Sequence, residues 1–295
     1  MGSDKFKTER KSLNKSGLKK EKLSETCLEW LGEENSLGIS LKFLGRKVKE
    51  KKGEFFNVVV FDCILGHTMV IDEGEEKTLQ TCEKFDFYDE VLSLVPLALR
   101  PEARRALIVG GGDGKIASIL AGYLEEITVV DPAKEVFEAC RDIYWSEKAL
   151  EKVKRVEMRA EDYVEREKGK FDIIIGDFTD PYEGKVAGHL ISGEFLANIR
   201  ELMNGEALFV FQAGSPIFQP EIVRKAYRNS KIVFKNVRIF WAPVPLYPLG
   251  VWCFCACSDS EIPAVPAKRI EGDFYTPEIH RMLFTLPPFI RKLVS

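Results

Sequence analysis

The sequence predicts an α/β protein in which a Rossmann-like doubly wound sheet follows a small N-terminal β domain. Three observations carry that reading. After Tyr88, apolar runs of strand length alternate with stretches of helical spacing, as in a parallel sheet with crossover helices. A glycine-rich segment, VGGGDG (109–114), sits between one such run and one such stretch. Upstream, over residues 36–72, short runs rich in β-branched and aromatic residues are separated by glycines and charges, as hairpins are.

The elements follow in order. Ile39, Leu41 and Phe43 alternate, and FFNVVVF (55–61) and HTMVID (67–72) continue the strand texture. DEVLSLVPLAL (89–99) has helical spacing, and Pro101 ends it. ALIVG (106–110) reads as the first strand of the sheet, with a helix from Lys115 to Leu124 behind it. ITVVD (127–131) is the next strand and leads into a helix over 133–145. VEMRAED (156–162) and FDIIIGDF (171–178) are further strands, and ALFVFQ (207–212) with the stretch around VWCFCAC (251–257) completes the sheet. The chain thus divides into a basic head (1–23), a β domain (24–88) and a Rossmann-like domain (89–295).

Of 295 residues, 45% are apolar, enough for a substantial core. A formal charge of −3 argues against a dedicated nucleic-acid binder, which would be clearly basic. No run of about eighteen apolar residues predicts a membrane span. The first residues have no apolar core behind their charges, so no secretory signal is expected. The head carries eight Lys and Arg against three acids and is nearly free of aromatics, so it reads as a solvated tail rather than an RNA-binding arm. Cys253, Cys255 and Cys257 alternate along one strand face. They read as small buried residues, because zinc sites space their cysteines differently and need a second cluster. Reduced thiols fit a cytoplasmic protein.

Gly110, Gly112 and Gly114 allow a tight turn and a close approach of a ligand to the backbone. Asp131 ends the next strand seventeen residues later. A carboxylate there binds ribose hydroxyls or caps the following helix, with Pro132 at its first position. Glu161 and Asp162, at the predicted strand end, are the candidates for an adenine amine, or else two solvated acids. Asp113 is more informative than the glycines. A carboxylate inside this loop repels a pyrophosphate and the carboxylate of S-adenosylmethionine, but suits a donor tail that ends in an ammonium alone.

GDFTDP (176–181) places Asp177 and Asp180 at a strand's carboxyl end, where open α/β sheets bind ligands. An aliphatic amine has a pKa of about 10 and must lose a proton before it attacks. A positioned carboxylate can hold that ammonium and then take the proton. The same D-x-x-D-P pattern also occurs as a turn with Asp side chains bonded to the backbone.

Taken together, these residues resemble the polyamine aminopropyltransferases, chiefly spermidine synthases, over residues 30–294. GGGDG (110–114) and DFTDP (177–181) look like the two signature segments, and LQTCEKFDFYDEVLSLVPLAL (79–99), FQAGSP (211–216), PLYPLGVW (245–252) and IHRMLFTLPPFIRK (279–292) match later stretches in order. The resemblance implies a class I methyltransferase-like fold, a homodimer or homotetramer, no metal, and no cofactor beyond decarboxylated S-adenosylmethionine as co-substrate. Small-molecule polyamine and nucleoside substrates are the implied partners. By position, Asp177 is implied as the base. Tyr88, Asp180, Gln212 and Tyr247 line the acceptor groove, Asp113 holds the donor's aminopropyl nitrogen, Asp131 its ribose, and Gln80 contacts the donor side. The chain departs from the family at Asp89, where His or Gln is usual, and at Phe56, where a donor-contacting Gln is common. Asp89 adds negative charge beside the acceptor groove, which favours putrescine less than a longer or more highly charged amine such as agmatine or spermidine. Two other functions fit the same features: an S-adenosylmethionine-dependent methyltransferase, against which Asp113 speaks, and a catalytically silent homologue that binds polyamine or nucleoside.

Overall fold

A computed structural model describes residues 28–34, 38–72, 76–179 and 187–295. The basic head and Asp180 lie outside the described residues.

Five strands, β1 (Glu29–Glu34), β2 (Ser40–Lys52), β3 (Asn57–Cys63), β4 (Gly66–Asp72) and β5 (Lys77–Cys82), form a closed antiparallel barrel in sequence order. The pairing Glu34↔Lys77 joins the first strand to the last. Alternation along the strands sorts side chains to two sides. Phe61, Val70, Leu79 and Cys82 cluster with Leu246, while Val58, Val60, Met69 and Ile71 pack on Val136, Ala139 and Cys140 of the helix Lys134–Tyr144. The helix Phe87–Leu99 begins five residues after the barrel ends, so the expected domain boundary at 88/89 falls inside its first turn.

The second sheet has seven strands: β6 (Arg105–Gly110), β7 (Glu126–Val130), β8 (Val153–Val156), β9 (Phe171–Asp177), β10 (Met203–Gly214), β11 (Asn236–Pro243) and β12 (Val251–Ser258). Their order is β11-β12-β10-β9-β6-β7-β8. Every paired neighbour is parallel except that β12 runs antiparallel to β10 and β11. Both faces are covered, so the central strands read as continuous apolar runs rather than alternating ones. Ala106, Ile108, Ile173 and Ile175 face the cluster that holds the helices Phe87–Leu99 and Lys115–Leu120. Leu107, Val109 and Ile174 face the opposite cluster, with the helices Ala160–Arg166, Gly193–Glu201 and Pro220–Val233. Cys253, Cys255 and Cys257 are buried in that second cluster, with Cys255 and Cys257 Sγ atoms 3.6 Å apart.

Two sequence expectations are corrected. The strand expected over 156–162 is the shorter β8, ending at Val156, and Glu161 and Asp162 lie in the first turn of the helix Ala160–Arg166. Acids are favoured there by the positive end of the helix dipole. The helix expected to reach Leu124 ends at Leu120, ahead of Gly122, and the chain continues in turns.

Candidate active site

A cavity of about 200 Å³ opens at the carboxyl ends of β6, β7, β9 and β10, walled on the other side by the barrel. Its floor is the glycine loop. Gly110 has φ +84°, and a β-carbon there would lie 2.0 Å from the Asp177 carbonyl oxygen. Gly111, at φ +68°, donates its N–H to that carbonyl at 3.0 Å. Gly114, at φ +89°, lies against the Trp145 ring, and a β-carbon would come within 2.2 Å of it. Only glycine adopts these backbone angles without strain, so the loop is locked to the end of β9 by its own composition.

Asp131 follows β7 and lines the cavity. Its Oδ2 accepts the Gly112 N–H at 3.0 Å and its Oδ1 the Ala133 N–H at 2.8 Å. It therefore braces the glycine loop and the turn before the next helix, which starts at Lys134 rather than at Pro132. Each oxygen retains a second lone pair for a hydroxyl in the cavity. Glu161 also lines the cavity, with its Oε2 3.2 Å from His189 Nε2; Asp162 does not. Phe55 and Phe56 close the same end of the cavity, and the Arg159 guanidinium lies 5.4 Å from the Phe55 ring centre. Both phenylalanine N–H groups donate to Glu135 Oε1, at 3.0 and 2.7 Å.

At the other end, Asp177 accepts a 2.9 Å hydrogen bond from the Tyr88 hydroxyl. Burial, then the charges of Asp113 and Asp89, push the Asp177 carboxyl well above its ordinary range, and the Tyr88 bond opposes them. Asp113 is buried on the cavity wall, and its Oδ1 accepts the Lys115 N–H at 3.0 Å. Asp89 shares the wall, and Lys115 Nζ lies 3.5 Å from its Oδ2. The rings of Tyr88, Tyr247 and Trp252 form an edge-to-face series with centroid separations of 5.4 and 4.8 Å. The Tyr247 hydroxyl donates to the Gln80 carbonyl at 2.9 Å. Gln212 lines the cavity, but its amide is held in the protein. Its Nε2 donates to the Phe178 carbonyl at 3.1 Å, and its Oε1 accepts from Gly214 N–H and Trp252 Nε1, both at 3.0 Å.

The profile of the spermine/spermidine synthase domain matches residues 85–268. The polyamine aminopropyltransferase of Clostridium tetani is 35% identical, over 90% of this chain and 97% of that one. The chain belongs to the spermine/spermidine synthase family. The Moorella thermoacetica polyamine aminopropyltransferase is 32% identical, over 88% of this chain and 93% of its own. Among solved structures, a spermidine synthase in complex with the transition state analogue AdoDATO superposes with a TM-score of 0.82 at 26% identity, covering 92% of this chain and 98% of that one. The Thermotoga maritima spermidine synthase gives 0.80 at 25%, covering 92% and 97%.

Within this spermine/spermidine synthase fold, the residues singled out in the sequence converge on one cavity, apart from Asp162, from Gly114, which packs on Trp145 behind the cavity wall, and from Asp180, which lies outside the described residues. Sequence reasoning missed Lys115, Asp86 and Glu135. Lys115 carried a signal, being a lone cation two residues after Asp113 in a ligand loop. Glu135 carried none, because its partners lie about eighty residues away.

Proposed function

We propose that this chain transfers the aminopropyl group of decarboxylated S-adenosylmethionine to an amine and releases methylthioadenosine. The observation that carries the reading is one cavity holding a hydrogen-bonded Tyr88–Asp177 pair beside Asp113 and Asp131. The donor's adenine amine meets Glu161 and its ribose Asp131. The backbone of Gly110 and Gly112 admits its thioether end, with Gly114 setting the loop against Trp145, Gln80 borders it, and Asp113 holds the ammonium of its tail. The acceptor lies along Tyr88, Tyr247 and Asp89, with Gln212 holding the neighbouring Trp252 ring in place.

The amine enters protonated, and Asp177 receives its proton as attack begins. The nitrogen lone pair forms a bond to the methylene carbon next to sulfur. The C–S electron pair returns to sulfur, and the sulfonium leaves as a neutral thioether that needs no proton. Alignment of nucleophile and carbon supplies much of the rate.

The test incubates purified protein with decarboxylated S-adenosylmethionine and putrescine, cadaverine, agmatine, spermidine or norspermidine. Methylthioadenosine release should depend on one preferred amine and fall by at least ~100-fold in Asp177→Asn. S-adenosylhomocysteine formed from the intact donor instead would indicate a methyltransferase.

We also read the protein as a cytoplasmic homo-oligomer. In support, Trp30 and Leu44 pair across β1 and β2 on the outside of the barrel, 66% and 48% exposed. Light scattering should give a mass above one chain, and Trp30→Asp should lower it.

A further inference from the structure

Lys115 is a buried cation among acids. It follows Asp113 by two residues, and its backbone N–H orients the Asp113 carboxylate. Its side chain is 7% exposed. The ammonium donates to the Cys82 carbonyl, pairs with Asp86, and lies 3.5 Å from Asp89 Oδ2. Three donors thus have three partners. Burial lowers the lysine's proton affinity, but Asp89 and Asp86 more than offset it, so the side chain stays charged. Lys115 does not line the cavity, whereas Asp89 and Asp113 do. Among the described lining residues Arg159 is the one cation, and it stands beside Phe55 at the opposite end.

This arrangement poses an electrostatic problem. Asp113 can reject a carboxylated donor tail only if no positive charge nearby welcomes that carboxylate. An ammonium two residues from Asp113 would do so if its field reached the cavity, because an unscreened charge in a low-dielectric wall acts strongly at this range. Asp89 stands on the wall with that ammonium behind it.

We propose that Asp89 is a donor-specificity residue that masks Lys115, so that the tail end of the donor seat presents only acids and a carboxylate on the tail finds no partner. This rests on the donor orientation given above. Lys115 in turn is a positioning residue. Its backbone sets Asp113 and its side chain ties the glycine loop to the helix that carries Tyr88.

The dissociation constants of decarboxylated and intact S-adenosylmethionine, measured by calorimetry on the full chain, test the idea. The wild type should prefer the decarboxylated donor. Asp89→Asn should cut that preference about tenfold through tighter binding of the intact donor, the scale of one charge-assisted hydrogen bond. Asp89→Glu should retain the wild-type preference, and Asp89→Asn with Lys115→Met should restore it. Lys115→Met alone should sharpen it, because Asp89 then repels the carboxylate unopposed. This provides a second reading should Asp89→Asn fail to fold. An unchanged constant for the intact donor in Asp89→Asn, or a gain that survives removal of Lys115, overturns the proposal. A wild type that binds no decarboxylated donor removes the donor assignment itself, a failure seen before any variant is measured.

Discussion

Asp177 must lose its own proton before it can take one from an amine, and its surroundings decide at what pH that happens. Burial is the largest influence and favours the neutral acid, Asp113 and Asp89 add like charge in the same direction, and the Tyr88 hydroxyl favours the carboxylate. The free enzyme should therefore lose activity as pH falls through a value above the ordinary aspartate range of about 4, and the acid limb of kcat/KM reports that value. Two neighbours should move the limb in opposite directions. Asp89→Asn removes a like charge and shifts it to lower pH. Tyr88→Phe removes the bond that stabilises the carboxylate and shifts it to higher pH. Profiles of the three proteins with one acceptor decide this, and parallel shifts in both variants would mean that the limb belongs to another group.

The glycine loop shows how an element delivers such a residue. Gly110 sits beside Asp177 in the parallel pairing of β6 with β9, and the Asp177 carbonyl fills the space where a side chain would go. Gly110→Ala must push β9 aside or abandon φ +84°. We expect a loss of about 1–3 kcal/mol in stability, together with loss of transfer, because the strand that moves carries Asp177, the proposed base. Gly205→Ala, where a β-carbon meets nothing within 4 Å, is the control, and chemical denaturation with turnover measures both. Much of this was legible in the sequence. The apolar runs at 106–110 and 173–176 are continuous because both sheet faces are buried, and the acids at strand ends mark the side where open α/β sheets bind ligands. The end of β8 was not legible. Val156, Met158 and Ala160 keep a period of two past the last ladder bond, so the pattern imitates a strand where the chain turns into a helix. Barrel closure was not legible either, since it rests on Glu34 meeting Lys77 and no local pattern announces a partner that distant. The charge on Asp89 was visible, but the ammonium behind it was not, because helix and loop meet only in the folded chain.

At the scale of the molecule, barrel and sheet meet along a seam, and the cavity lies in it. Glu135 holds the Phe55 and Phe56 N–H groups, the Tyr144 hydroxyl donates to the His67 carbonyl at 2.8 Å, and the Tyr247 hydroxyl reaches the Gln80 carbonyl. Each bond ties a sheet-domain residue to the barrel. A nucleoside bound between Phe55, Phe56 and Asp131 touches both bodies, so its binding energy should stabilise them as one unit. At a hundredfold excess over its Kd, methylthioadenosine should add about 2.7 kcal/mol to stability, which for a chain of this size raises Tm by roughly 5–10 °C. Glu135→Ala leaves two part-buried N–H groups without their acceptor, at a cost of up to about 1 kcal/mol each. It should also free the Phe55–Phe56 wall, so the nucleoside should raise Tm less in this variant than in the wild type. Differential scanning calorimetry with and without the nucleoside measures both effects. An equal rise in the two proteins would mean that the ligand is held by the sheet domain alone, and that the barrel wall only covers it.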